Sequence, residues 1–499
     1  MRNIMSSKLD KAREYEVKKE STILEEMRPN FHLTPRCGWM NDPNGFSSYK
    51  GEYHLFYQYY PYDTVWGPMH WGHAKSSDLI TWEYLPAAMA PDEEYDKDGC
   101  FSGSAVEMED GRQLLVYTGV NKVEAESGEI LEYQTQCVAV GDGENYEKYE
   151  CNPVITADLL PEGAGKFDFR DPKVWRENGK YYMVVGNKTP DRDGQILQFV
   201  SDDGFKWSYD RLVIKNNHRF GAMWECPDYF ALDDKQILLT SPQDMLPEEL
   251  EFHNGNGTLC VIGTLDENGN FCEENCQAVD YGIDFYAPQT ILTEDGRRVM
   301  IGWMQNWDTC GIRRDDFPWF GQMSFPREIS LRGSKLIQKP VREIENYYGK
   351  RISRQNVLIS DSASLSSIEG RCIDMTINVR SLSEDLSYKK FELRFADNGK
   401  AFSTIEYDPE LNIVKIDRKH SGSRRAIVHQ RRCRVSGNKG NIKLRLILDR
   451  YSCELFINDG EQVMSMVVLT DIRAEGISFK AVGELLMDVE MYELERKDR

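Results

Sequence analysis

The chain has 499 residues, enough for two or three domains with sizeable cores. Its formal charge of −21, from 61 Lys and Arg against 82 Asp and Glu, excludes nucleic-acid binding by phosphate neutralisation but leaves neutral ligands such as sugars open. Aromatic residues make up 11%, a richness that suits β-structure and stacking on flat ligand faces.

The N-terminal stretch MRNIMSSKLDKAREYEVKKESTILEEM is charged throughout, without the apolar core of a secretory signal. No run of about 18 apolar residues follows, so no membrane helix is expected. The reading is a cytoplasmic chain whose 12 Cys are reduced thiols. Cys272/Cys276 and Cys137/Cys151 lack a second CxxC or a His pair, so no metal site is expected. Residues 1–27 read as a solvated N-terminal arm, with a polar helix over 7–27 as the alternative.

From Phe31 onward, apolar-aromatic runs alternate with Gly, Asp, Asn and Pro clusters: YHLFYQYY, QLLVYTGV, KYYMVVGN, QILLTSP and RRVMIGWM. This is the pattern of many short strands. A spaced repeat runs through them: Asp78 with Trp82, Asp142 with Tyr146, Asp203 with Trp207, and a fainter echo at Asp266. The spacing of about 62 residues fits a four-stranded sheet with its loops, repeated around an axis as in a β-propeller. Residues 28–338 hold five such units, so the prediction is a five-bladed β-propeller. KPVREIENYYGKR breaks the pattern, and a linker helix is predicted over 339–353. Residues 354–499 return to alternating strands, with Asn458-Asp459-Gly460 as a tight hairpin turn, and predict a C-terminal β-sandwich. The sandwich has no Trp, which disfavours sugar binding there, and is a candidate homodimer surface.

Three acids have unusual neighbours. Asp42 lies in WMNDPNG, Asp171 in KFDFRDPKVW and Glu225 in GAMWECPDYF. Each reads as a turn or strand start beside aromatics, and the repeat puts them on different blades, free to meet at the axis. Glycoside hydrolysis needs two carboxyl groups, one a proton donor and one a nucleophile or base. Glu225, between Trp224 and Cys226-Pro227, has the apolar setting that suits the donor. Asp42, among Asn41, Asn44 and turn amides, has the hydrogen-bond donors that keep a nucleophile ionised. Asp171 follows Arg170, which would keep it charged. Each pattern also has a plain structural reading: Asp-Pro turns and Arg-Asp surface pairs are common.

The motifs WMNDPNG (39–45), FSGS (101–104), RDP (170–172) and WECPD (224–228) resemble, in order, those of glycoside hydrolase family 32, the invertases, sucrose-6-phosphate hydrolases, levanases and inulinases. FYQYYP (56–61), VWGPMHWGHAKSSDLITW (65–82), DFYAPQT (284–290), IGWM (301–304), SFPREISL (324–331) and DRYSCELFINDG (449–460) extend the likeness over most of the chain. The resemblance implies a five-bladed propeller followed by a β-sandwich. It also implies retaining hydrolysis of β-fructofuranosides such as sucrose, sucrose 6-phosphate or short fructo-oligosaccharides, with no cofactor. By the same resemblance Asp42 is the nucleophile, Glu225 the acid/base and Asp171 the transition-state stabiliser. Asn41, Gln58, Trp66, Phe101, Ser102 and Arg170 match positions that hold the fructosyl unit, and Tyr286 and Trp303 match positions near the rim. Tyr60 stands where many members have Asn, and Phe325 where Leu is usual. The alternatives are a fructosyltransferase with the same site, an inverting propeller glycosidase, and a non-catalytic sugar-binding propeller. Arg313 and Arg314 are a candidate phosphate contact, with a solvated loop as the other reading.

Overall fold

A computed structural model describes residues 6–311, 317–423 and 428–496. Helix α1 (Ser7–Glu20) is capped by Ser6, whose hydroxyl accepts the N–H of Leu9 at 3.1 Å. It is not a solvated arm. Leu9, Ala12 and Glu16 are buried, and Glu16 accepts the N–H of Ala87 at 3.0 Å. Burial raises the Glu16 carboxyl to about 7, against the Ala87 hydrogen bond and the charge of Arg36. The helix docks because Leu9 and Ala12 give this face small and apolar contacts and Glu16 finds a backbone donor there, although the stretch is polar on average.

Five sheets follow. The first holds β1 (Gly38–Tyr49), β2 (Glu52–Tyr60), β3 (His70–Ser76) and β4 (Glu83–Met89). The second holds β5 (Gly99–Glu107), β6 (Gln113–Glu124), β7 (Ile130–Gly141) and β8 (Tyr146–Lys148). The third holds β9 (Phe169–Glu177), β10 (Lys180–Lys188), β11 (Gly194–Ser201) and β12 (Trp207–Lys215). The fourth holds β13 (Trp224–Leu232), β14 (Lys235–Pro242), β15 (Leu259–Leu265) and β16 (Phe271–Ala278). The fifth holds β17 (Tyr286–Leu292), β18 (Arg298–Trp303), β20 (Arg327–Arg332) and β21 (Lys335–Pro340), while β19 (Trp319–Phe320) returns to pair with β1.

The five apolar-aromatic runs of the sequence are the second strands of the five sheets: β2, β6, β10, β14 and β18. The recurring Asp sits in the turn between the third and fourth strands. Asp78, Asp142, Asp203 and Asp266 each accept backbone N–H groups of the residues that follow, at 2.8–3.0 Å. The first strands lie side by side: β1 against β5, β5 against β9, β9 against β13, β13 against β17, and β17 against β1. Neighbouring sheets pack face to face through apolar side chains, as Leu114, Val116, Val185 and Leu197 do between the second and third.

Pro340 ends β21, and Arg342–Tyr347 forms a short three-ten turn where a linker helix is predicted. Residues 348–494 form two six-stranded antiparallel sheets. Alternate side chains of strands Ile373–Ser381 and Tyr388–Asp397 turn inward, so Met375, Ile377, Phe391 and Leu393 join one core. Asn458, Asp459 and Gly460 all take positive φ in the hairpin between Ser452–Ile457 and Gln462–Val467. The two halves meet through buried charges. Arg327 pairs with Asp280 at 3.0 Å and with Glu454, while His32 bridges Asp449 at 2.9 Å and Glu454 at 3.0 Å. Phe325 is buried in the same layer, edge-on to His32. Among the described residues no helix is long and apolar enough to cross a membrane.

Candidate active site

Asn41-Asp42-Pro43-Asn44-Gly45 is not a hairpin tip. It lies inside β1, where the pairing with β2 slips between Met40 and Pro43. The same slip recurs between first and second strands in the other four of these five sheets: at Ser102, at Asp171-Pro172, at Cys226-Pro227 and at Ala287-Pro288. An extra residue in one strand bends it and re-aims a side chain, and proline is tolerated where the ladder is already broken. Asp171, Cys226 and Ala287 take positive φ there (66°, 48° and 51°). At the second sheet Gly103 replaces the proline, because a Cβ would stand 2.0 Å from the Val116 carbonyl oxygen.

The bulges bring the three acids to one cavity of about 370 Å³. Asp42, Asp171, Glu225, Asn41, Gln58, Trp66, Phe101, Ser102 and Arg170 all line it. Ser102 donates to Asp42 Oδ2 at 2.7 Å, and Asn41 accepts the indole N–H of Trp39 at 2.8 Å. Gln58 is held by a 3.0 Å bond to the Cys100 carbonyl. Trp66 stands at the mouth, 40% exposed, with Phe101 edge-on at 5.9 Å.

Tyr286 and Trp303 are not at the rim; both are fully buried. The Tyr286 hydroxyl lies 2.7 Å from Glu225 Oε2 and 2.9 Å from the Ser241 carbonyl, so it supports the acid from behind. Trp303 packs behind the pocket against Trp39 and Trp307, with ring centres 6.1 and 5.0 Å away. Cys226 touches the other two acids: its N–H donates to Asp171 Oδ2 at 3.0 Å, and its Sγ lies 3.5 Å from Asp42 and 3.6 Å from Asp171.

Glu225 does not have the apolar setting that its chain neighbours suggest. Arg170 reaches its Oε1 with Nε at 3.0 Å and a terminal nitrogen at 2.9 Å, while Asp171 is 4.0 Å from Arg170. The surrounding carboxylates, Glu225 foremost, hold Arg170 charged in spite of its burial. Burial raises the Asp42 carboxyl to about 6, helped by the charge of Glu225 and opposed by Ser102, Asn41 and Cys226. Burial also raises Asp171, again with Glu225, and Arg170 opposes the rise. The donors around Asp42 therefore do not outweigh its desolvation.

Glu132, Gln134, Asp168, Gln243 and Trp307 also line the cavity, and motif reading did not single them out. Glu132 and Gln134 alternate along β7, and Asp168 stands two residues before Arg170. A two-residue period followed along LEYQTQ and FDFR would have found them. Arg313 and Arg314 lie outside the described residues.

The profile of the glycosyl hydrolases family 32 N-terminal domain matches residues 32–340, and that of the family 32 C-terminal domain matches residues 343–493. The chain is 37% identical over 454 residues to a sucrose-6-phosphate hydrolase of Zymomonas mobilis, covering 88% of this chain and 85% of that one. It is 35% identical over 467 residues to a raffinose invertase of Escherichia coli, covering 92% and 93%. The solved GH32 β-fructofuranosidase of Bombyx mori superposes with a TM-score of 0.83 at 35% identity over 98% of both chains, and a mutant of it has been solved with sucrose. With both domains matched in order, and the fold and motifs shared, this chain is a member of glycoside hydrolase family 32.

Proposed function

We propose that the chain is a retaining β-fructofuranosidase that releases terminal fructose from sucrose, its 6-phosphate and short fructo-oligosaccharides. The observation that carries this reading is the convergence of Asp42, Asp171 and Glu225, from the first strands of three sheets, on one cavity. Asp42 attacks the anomeric carbon while Glu225 protonates the departing oxygen. Water, deprotonated by Glu225, then cleaves the fructosyl ester at Asp42. Asp171 faces the ring hydroxyls and offsets the positive charge that develops on the sugar. Gln58, Asn41 and Phe101 seat the fructosyl unit, and Trp66 offers a stacking face at the mouth. Two carboxyl groups suffice for this chemistry, so no cofactor takes part.

The five sheets are read as blades of a five-bladed propeller, a reading supported by the run of first-strand contacts from β1 round to β17 and back to β1. The two later sheets, sharing one core, are read as the β-sandwich, with the first domain at 28–338 and the second from 354. The cytoplasmic reading rests on the twelve cysteines taken as reduced thiols. The test is sucrose turnover by Asp42→Asn and Glu225→Gln. Each is expected to lose at least ~10³-fold in kcat with the fold intact, and near-normal turnover in either overturns the assignment.

A further inference from the structure

We infer that the five-sheet domain carries a second, non-catalytic binding site for an uncharged oligosaccharide, toward the opposite end of the strands that bear Asp171 and Glu225. A cavity of about 640 Å³ lies between the third and fourth sheets and shares no lining residue with the catalytic cavity. Its size falls within the roughly 300–1,000 Å³ of small-molecule sites. On β9 its lining starts at Lys173, two residues past Asp171, and on β13 at Asp228, three past Glu225. The same two strands thus serve one cavity near their N-terminal ends and another toward their C-terminal ends.

Sugars are held by aromatic rings against their apolar faces and by donors and acceptors for their hydroxyls. This cavity has both. Trp175 and Tyr182 stack with ring centres 5.6 Å apart, Tyr229 stands 6.1 Å from Trp175, and Phe271 meets Tyr229 edge-on at 6.0 Å. All four rings line the cavity and are only half-buried, so each keeps surface for a ligand. At the floor, Asp228 Oδ2 accepts the N–H of Thr290 at 2.5 Å and meets Lys173 at 3.1 Å, but its buried Oδ1 has no partner among the described residues. Arg298 lies over the Phe230 ring at 4.4 Å, and its buried Nε likewise has no partner among the described residues. Buried polar atoms left unpaired cost stability. A hydroxyl can donate to the carboxylate and accept from the guanidinium, whereas an anion satisfies only the second. The other arginines of the lining are already paired, Arg176 with Glu109 at 3.1 Å and Arg211 with Asp210 at 2.9 Å. The chemistry that fits is a neutral polyhydroxyl ligand with apolar faces.

The experiment is calorimetric titration of 1-kestose, maltotriose and inorganic phosphate into Asp42→Asn, and into the same protein carrying Trp175→Ala or Arg298→Gln. 1-Kestose is expected to fill two sites in the parent, the weaker with a Kd of about 1 mM, and one site in each variant. Maltotriose, which has no fructosyl unit, reports the second site free of the first. In the otherwise wild-type chain both substitutions should leave kcat/KM for sucrose within about 2-fold, which also shows that the variants fold, because neither residue lines the catalytic cavity. A parent with one site for 1-kestose and none for maltotriose overturns the inference. So does a second site whose affinity falls by less than about 3-fold in both variants, or one that takes phosphate and no sugar. If the wild type hydrolyses no fructoside, the β-fructofuranosidase reading falls instead, and maltotriose still decides this site.

Discussion

Arg170 is bonded twice to Glu225 Oε1, at 3.0 and 2.9 Å, and stands 4.0 Å from its own chain neighbour Asp171. One guanidinium thus serves the third and fourth sheets together and sets the orientation of the proposed acid/base. Its planar fork is what makes the double contact, and lysine has no equivalent. Arg170→Lys should lower kcat/KM for sucrose by about 10²-fold or more while retaining the fold. Steady-state kinetics with circular dichroism checks this, and a loss under about 3-fold would show that the double contact does not position Glu225.

Tyr286 makes the other contact to Glu225, at Oε2, from a fully buried position. It stands outside the cavity lining, placed to support the acid and not to meet the sugar directly. Tyr286→Phe should therefore lower kcat by roughly 10-fold with little change in KM. A rise in KM at constant kcat would return Tyr286 to the substrate-binding set.

The raised Asp42 carboxyl has consequences for both activity and stability. A nucleophile must be ionised, so kcat/KM should fall as pH drops below about 6, with an apparent value that belongs to the coupled carboxylates. A folded value above the unfolded one means that the native state favours the protonated acid, and this stabilising contribution is lost as pH rises from 3.8 to about 6. At pH 7 the charge is a burden on the fold. Asp42→Asn should be inactive yet more stable by about 1–3 kcal/mol, seen as a higher Tm at pH 7. An unchanged or lower Tm would show that Asp42 is not strained in the native state.

At the junction of the two halves, His32 lies between Asp449 and Glu454 with no exposure. Burial opposes its charge, but the hydrogen bonds and charges of Asp449 and Glu454 win and raise it to about 9. Its contribution to stability is fully present below pH 6.5 and is lost as pH rises through about 9. Thermal stability should decline over that window. His32→Ala should flatten the decline and cost about 3–5 kcal/mol at pH 7, because it leaves buried carboxylates short of a cation. Parallel pH profiles for wild type and variant would rule out this role.

The all-β character, the repeat near 62 residues and the three acids were legible in the chain because they depend on local chemistry. Strand-forming runs are side-chain patterns, and an Asp that closes a turn acts on backbone only a few residues away. The runs predicted as strands are the second strands of successive sheets, and the repeated Asp marks the same turn in four of them. Asn-Asp-Pro-Asn-Gly misled for the same reason. Its composition is that of a turn, yet the pairing of β1 with β2 and β19 keeps it in a strand and converts the Asp-Pro step into a bulge. The polar helix α1 misled likewise, since its burial depends on β4, far along the chain.

By itself, the sequence determined which residues are the candidates for the chemistry and the order in which they occur, since residue identity and short-range turn and strand preferences are written locally. Only the tertiary structure decided their company. It bonded Arg170 more closely to Glu225 than to Asp171, set Cys226 against Asp42 and Asp171, sank Tyr286 and Trp303 behind the cavity, and brought Glu132 and Asp168 into its lining. Partners, burial and the pKa shifts that follow are set by which strands meet across the sheets, over separations of dozens of residues that no local pattern encodes.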